Sequence, residues 1–225
     1  MRFDVMTLFP DLITAVCGES IIGRAAEAGI LSVNAHNIRD FSKDKHRRVD
    51  DTPYGGGMGM VMRPDPIVDC FRAIKAETEG MKRRVIYMSP QGALLTQKKA
   101  KEYLVYDNIV LLCGHYEGVD QRAIDAIVDE EISIGNYVLT GGELPACIFI
   151  DCVSRMLEGT LASPECYEEE SISCGMLEYP QYTRPVEFEG ARVPEVLQGG
   201  NHAEIAKWRY RAALEKTKRC RPDLL

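Results

Sequence analysis

Between Val85 and Leu157 short apolar runs alternate with stretches of helical period, and this rhythm limits the fold more than any other feature of the 225-residue chain. The apolar runs are Val85 to Met88, Asn108 to Cys113 and Glu131 to Val138. The helical stretches are Thr96 to Tyr103, Val119 to Val128 and Gly142 to Leu157. Strands separated by helices pair through crossovers rather than hairpins, so an α/β domain with a largely parallel sheet is predicted. The amino-terminal part continues the pattern. Phe3 to Phe9 and Leu31 to Ile38 alternate apolar and polar residues as strands do, while Asp11 to Val16 and Glu19 to Glu27 read as helices, the second closed by Gly29. Arg39 to Arg63 is charged, rich in glycine and too long to be a simple connection. Pro64 then opens a helix with Ile67, Phe71 and Ile74 on one face.

The carboxyl-terminal quarter is organised differently. From Glu158 to Ser173 periodicity stops and Gly, Ser, Pro and Glu dominate, which reads as an exposed linker. One amphipathic helix follows, with Ile205, Trp208 and Ala212 on one face. The expected division is a main domain over 1–160, a flexible linker over 161–173 and a small helical domain over 174–225. Arg2 and Asp4 interrupt the first apolar run, which argues against a secretory signal. Leu144 to Leu157 is broken by Asp151 and Arg155 and is too short to span a bilayer. No membrane association and a cytoplasmic location are expected. The eight cysteines are scattered, with no Cys-x-x-Cys and no paired His-x-x-x-His, so buried reduced thiols are expected rather than a disulfide or metal framework.

A net charge of −7 taken alone argues weakly against a nucleic-acid partner, but its distribution keeps an RNA ligand compatible with the chain. His202 to Leu225 holds seven Lys or Arg against three acids, a local balance of +4 (seven minus three). Two smaller basic groups are Lys43, Lys45, Arg47 and Arg48, and Lys82 to Arg84. Such segregation suits an RNA ligand, although each run alone reads equally as a solvated face.

Three glycine-bearing loops follow the three later strands: Tyr87-Met88-Ser89-Pro90-Gln91-Gly92, Gly114-His115-Tyr116-Glu117-Gly118, and Ile134-Gly135-Asn136-Tyr137-Val138-Leu139-Thr140-Gly141-Gly142. Ligands of open α/β sheets bind beyond the carboxyl ends of strands, where glycine lets backbone amides approach closely. A dinucleotide fingerprint, a phosphate loop, a nucleophile elbow and a zinc-protease motif are all missing. Gly55-Gly56-Gly57-Met58-Gly59 follows a charged loop rather than a strand. The ligand is therefore neither a standard dinucleotide nor a nucleoside triphosphate, and an oxidoreductase is a distant alternative.

In order along the chain stand Pro53-Tyr54-Gly55-Gly56-Gly57, Ser89-Pro90-Gln91-Gly92, Cys113 to Asp120, Ser133 to Leu139, Gly141-Gly142-Glu143-Leu144-Pro145, Tyr182-Thr183-Arg184-Pro185, and Gly200-Asn201-His202 with Trp208-Arg209. These motifs resemble those of the bacterial tRNA (guanine-N1)-methyltransferases, members of the trefoil-knotted SPOUT superfamily. They span almost the whole chain. The resemblance implies a knotted α/β methyltransferase domain with a mostly parallel sheet and a small helical carboxyl-terminal domain. It implies S-adenosylmethionine as methyl donor, tRNA as substrate, and a homodimer with its active site between subunits. From the three loops Tyr87, Met88, Ser89, Pro90, Gly92, Gly114, Tyr116, Glu117, Gly118, Ile134, Gly135, Asn136, Tyr137, Val138, Leu139, Gly141 and Gly142, with Pro145, would hold the methyl donor. Tyr54, Gly55, Glu178, Arg184, His202, Lys207 and Arg209 would contact the tRNA. Magnesium enters through the resemblance alone, with no hard-cation cage visible. Another knotted RNA methyltransferase, acting on a ribose hydroxyl or another base, is the nearest alternative; the Tyr182 to His202 block argues against it. A noncatalytic RNA-binding relative is a second.

Guanine N1 carries a proton and is a poor nucleophile until it leaves, so a base near N1 and a donor for O6 are required. By resemblance these are Glu170 and Arg155. Read without the resemblance, Glu170 ends a solvated acidic run, with Glu169 its rival, and Arg155 snorkels from a helix flank. Glu117 and Glu143 are candidates to polarise the donor's amine, and Glu117 to help hold magnesium. Trp208, alone on an amphipathic helix, reads as core, while Lys207, Arg209, Arg211, Lys216, Lys218 and Arg219 suit phosphate contact. The chain departs from the family pattern at Glu170, where aspartate is expected, and at Met58 and Asn136, where proline and aspartate are expected.

Overall fold

The computed structural model describes all residues except Glu169, together with the backbone but not the side chain of Glu165. The chain divides into two compact units, Met1–Ser163 and Pro164–Leu225.

The first unit is built on a five-stranded sheet. Its strands are β1 (Arg2–Thr7), β2 (Ser32–Asn37), β5 (Arg83–Leu94), β6 (Asn108–Cys113) and β7 (Glu130–Ser133), in the order β2-β1-β6-β5-β7. Every pairing is parallel. β6 lies in the middle and all six of its residues are buried. Its Ile-Val-Leu-Leu run thus has no polar alternation, as expected of a strand covered on both faces. On one face α3 (Pro64–Glu77) and α5 (Gln121–Ile127) pack Ile67, Cys70, Ile74, Ala123 and Ile127 against Met6, Val85, Val110 and Leu112. Elsewhere in the unit α1 (Pro10–Cys17) packs on α6 (Glu143–Ser154), and both contact β1. α2 (Ser20–Glu27) and α4 (Gln97–Glu102) complete the unit. Local chemistry fixes several helix starts: Thr96 accepts a hydrogen bond from Lys99 N, and Asp120 accepts one from Arg122 N.

Three expectations change. β7 ends at Ser133 instead of Val138, because the Ser133 hydroxyl accepts from Gly135 N at 3.3 Å and donates to Gly135 O at 3.0 Å, turning the chain out of the ladder. β5 extends beyond Met88 to Leu94, and both Met88 and Ala93 face Ile132. Residues 89–92 therefore form a bulge thrown out above the strand end. Finally, the long charged loop contains a small hairpin, β3 (Asp50–Asp51) with β4 (Val61–Met62), which seats Val49 and Met62 in the core.

The second unit contains α7 (Glu165–Glu168), inside the stretch expected to be irregular. The hairpin β8 (Glu187–Phe188) and β9 (Ala191–Arg192), α8 (Glu195–Gln198) and α9 (His202–Cys220) follow. Asn201 caps α9 by accepting from Glu204 N, and Ile205, Trp208 and Ala212 are half-buried along it. Among the described residues no helix is long and apolar enough to cross a membrane.

Candidate active site

Beyond the carboxyl ends of β5, β6 and β7 the first unit holds a cavity of about 280 Å³. Its walls are the three glycine-bearing loops, with Pro145 from the first turn of α6 and Gln121 and Ile124 from α5. Two glycines explain how the walls come so close. An added Cβ at Gly142 would lie 2.7 Å from Cys113 Cα and 3.0 Å from Gly114 N. That approach lets Gly142 N–H donate to Gly114 O at 2.9 Å, stitching the third loop to the second. At Gly141 an added Cβ would meet the Glu143 carboxylate at 2.5 Å and the His115 ring at 2.7 Å.

The second loop is fastened from outside the sheet. Glu117 N–H donates to Met60 O at 3.0 Å, Met62 N–H to Gly118 O at 2.9 Å, and Asp120 N–H to Met62 O at 3.0 Å. The β3–β4 hairpin thus clamps the loop. The segment between its strands carries Tyr54 and Met58, 99% and 92% exposed, on a run of glycines. Within the loop Tyr116 adopts a left-handed φ of 59°, and Arg39 donates to its hydroxyl at 3.4 Å.

Glu143 is only 4% exposed. Thr7 Oγ1 donates to its Oε1 at 2.8 Å, and His115 Nε2 lies 3.9 Å from Oε2. Its place in the first turn of α6 sets the carboxylate against the positive end of the helix. This buried group ties β1, the second loop and α6 together. His115 is further held between the rings of Phe9, at 5.1 Å, and Tyr116, at 5.6 Å. Burial, reinforced by Glu131, raises the Tyr87 hydroxyl above its ordinary value. Cys113 is pushed far up by burial, so its thiol stays neutral.

Of the residues proposed for the methyl donor, Tyr87, Met88, Ser89 and Pro90 line the cavity. So do Gly114, Tyr116, Glu117 and Gly118 from the second loop, and Ile134, Gly135, Tyr137, Val138, Leu139, Gly141, Gly142 and Pro145 from the third loop and α6. Gly92 and Asn136 lie outside the lining. An added Cβ at Gly92 would fall into the Glu131 and Ile132 backbone, so this glycine serves the β5–β7 approach. Sequence reasoning missed Gln91, His115, Val119, Gln121, Ile124, Glu131, Ile132, Ser133 and Thr140 as lining residues. His115 stands inside a quoted motif, whereas the α5 pair carries no motif signal.

Arg155 closes α6 and is half-buried. In the second unit Glu170 is half-buried and opens a tight turn, its carbonyl accepting from Cys174 N at 3.4 Å. The next residue, Ser171, donates its hydroxyl to Glu178 Oε2 at 3.3 Å and accepts from Glu178 N at 3.0 Å, so Glu178 braces the turn. Glu169 lies outside the described residues. Arg184 and His202 are exposed. Lys207 pairs with Glu204 at 2.9 Å, and the Arg209 guanidinium lies 4.7 Å from the Tyr179 ring centroid. The smaller basic groups are engaged internally. Lys43 pairs with Asp69, Arg47 with Asp40, Arg48 with Asp44 and Arg84 with Glu130.

Residues 1–225 match the model of the family described as tRNA (Guanine-1)-methyltransferase TrmD. A protein of Ruminiclostridium cellulolyticum named tRNA (guanine-N(1)-)-methyltransferase is 58% identical over 226 residues, covering 100% of this chain and 96% of the relative. Proteins of the same name from Lachnospira eligens and Clostridioides difficile are 56% and 53% identical over 224 residues, covering 100% of this chain and 94% and 97% of the relatives. With a parallel α/β sheet, a loop-walled cavity at its carboxyl end and a match over its full length, the chain belongs to the tRNA (guanine-1)-methyltransferase family.

Proposed function

We propose that this protein methylates N1 of the guanine immediately 3′ of the anticodon in tRNA, with S-adenosylmethionine as donor. The observation that carries the reading is the cavity above β5, β6 and β7 in a chain that matches the methyltransferase family from end to end. Its lining suits the donor. Apolar surface from Met88, Ile134, Leu139 and Pro145 is available to a purine, and the glycine-bearing loops offer backbone groups to polar atoms. When bound, S-adenosylmethionine supplies an electrophilic methyl group. The knotted path expected of the SPOUT fold belongs to this reading.

Glu170 serves as base for the guanine N1 proton, and the turn braced by Ser171 and Glu178 limits where its carboxylate can reach. Arg155 stabilises negative charge growing on O6 as that proton leaves. Tyr54, Gly55, Glu178, Arg184, His202, Lys207 and Arg209 make up the tRNA-facing set, with Glu178 acting through the turn it holds. Among the described residues no group of three or more His, Cys, Asp or Glu side chains is placed to hold a metal ion. Magnesium stays an expectation of the resemblance alone, and no step here is routed through it.

A homodimer completes the reading. α1 leaves Leu12 and Val16 exposed and the adjacent α6 leaves Leu144 and Ile148 exposed, each an i, i+4 pair, with Phe9 beside α1. A two-helix apolar face of this kind suits a self-complementary interface. A main domain over 1–160, a linker over 161–173 and a tRNA-binding domain over 174–225 remain the proposed division of labour, in a cytoplasmic protein. The test is labelled methyl transfer to unmodified tRNA with the product nucleoside identified by mass. N1-methylguanosine is expected, and a ribose-methylated product would overturn the reading.

A further inference from the structure

In the second unit the segment from Leu177 to Tyr182 lies along α9 and is fixed to it at three points. Leu177 N–H donates to Thr217 Oγ1 at 2.9 Å, Tyr179 lies under the Arg209 guanidinium, and the Tyr182 ring meets the Trp208 ring at a centroid distance of 6.2 Å. Two flat groups are thereby held in place while staying exposed to solvent. Tyr182 is 49% exposed although its ring meets Trp208 at a tilt of 57°, and Arg209 is exposed although its guanidinium lies over the Tyr179 ring. Fixing a planar group before a ligand arrives removes the ordering cost that a mobile surface side chain would incur on binding.

The surroundings select the ligand. α9 and the residues after it carry the +4 local balance noted above, so an anionic chain is attracted. Planar aromatic and guanidinium faces stack on unpaired bases, whatever their identity. We propose that Tyr182 on Trp208 and Arg209 on Tyr179 form a stacking platform for an unpaired base of the tRNA substrate, distinct from the guanine that is methylated. The inference rests on the tRNA reading above. It gives Arg209 the role of a stacked plane, with its charge secondary.

Trp208 is the only tryptophan in the chain, so its fluorescence reports on the platform directly. The experiment titrates the full-length protein with an unmodified anticodon stem-loop RNA and follows this emission over a range of salt concentrations. Binding should change the emission. Tyr182→Ala and Arg209→Lys should each weaken binding by roughly 5- to 100-fold, the loss of one base stack. The dependence of affinity on salt should keep its slope, because no phosphate contact is lost. Tyr182→Phe keeps the ring and should bind as the unaltered protein does, which also shows that the site still folds. Unchanged affinity in Tyr182→Ala, or losses in both variants that appear wholly as a shallower salt slope, would overturn the platform. Methylation at an atom other than guanine N1, with these binding results intact, would instead overturn the proposed reaction and leave the platform standing.

Discussion

Gly142→Ala isolates the steric demand of the cavity wall. Gly142 has φ −84° and ψ −3°, a conformation open to alanine, so no left-handed strain enters. A compatible glycine-to-alanine change ordinarily stabilises by roughly 0.4–1 kcal/mol through the unfolded chain. Here the new Cβ would sit 2.7 Å from Cys113 Cα and 3.0 Å from Gly114 N, both backbone atoms at the end of the fully buried β6. Neither can rotate away. Relief requires the first turn of α6 to retreat from the second loop, stretching the 2.9 Å bond from Gly142 N–H to Gly114 O. Overpacking of this kind costs about 1–3 kcal/mol, which at its midpoint outweighs the entropic gain and leaves a net cost of roughly 1 kcal/mol. The displaced atoms also wall the cavity, so S-adenosylmethionine should bind roughly 5- to 50-fold more weakly. Calorimetry with the donor and thermal unfolding measure the two effects. Gly200→Ala, where an added Cβ meets nothing within 4 Å, is the control. A Gly142→Ala protein with unchanged donor affinity and an equal or higher Tm would refute the argument.

Glu170→Gln should lower single-turnover methyl transfer on saturating tRNA by roughly 10²–10⁴-fold with little change in affinity, while Glu170→Asp retains more activity. Full loss in Glu169→Gln with Glu170→Gln near normal would move the base by one residue. Asp4 is fully buried in the sheet; burial raises its carboxyl, but hydrogen bonds from His36, Arg2 and Asn108 outweigh that and hold it below its ordinary value. Because the folded value is depressed, its stabilisation is complete above about pH 4 and fades as pH falls below that. Denaturant unfolding at pH 7 and pH 3 should show a loss that Asp4→Asn lacks, the variant being already weakened at pH 7 by about 3 kcal/mol. Val16→Glu with Ile148→Glu should convert the proposed dimer to monomer in sedimentation, and a dimer that survives both charges would place the interface elsewhere.

The family, the parallel α/β class and most cavity-lining residues were legible because they depend on local features: apolar period, strand-end glycines and contiguous motifs. What the sequence could not reveal was which distant groups approach one another. Gly92 and Gly142 look alike as loop glycines, yet the first accommodates the β7 backbone and the second joins two cavity loops. Glu143 is a candidate to polarise the donor's amine; in the fold its Oε1 accepts from Thr7, 136 residues away, and its Oε2 stands 3.9 Å from His115. The smaller basic runs looked available to RNA, but several of their members face acids on other elements. Arg209 read as one cation among several on a helix, and only the path of residues 177–182 along α9 turned it into a stacked plane. Periodicity encodes which side of an element is buried. Contacts across more than 100 residues depend on how whole elements stack, and only the tertiary structure decides those.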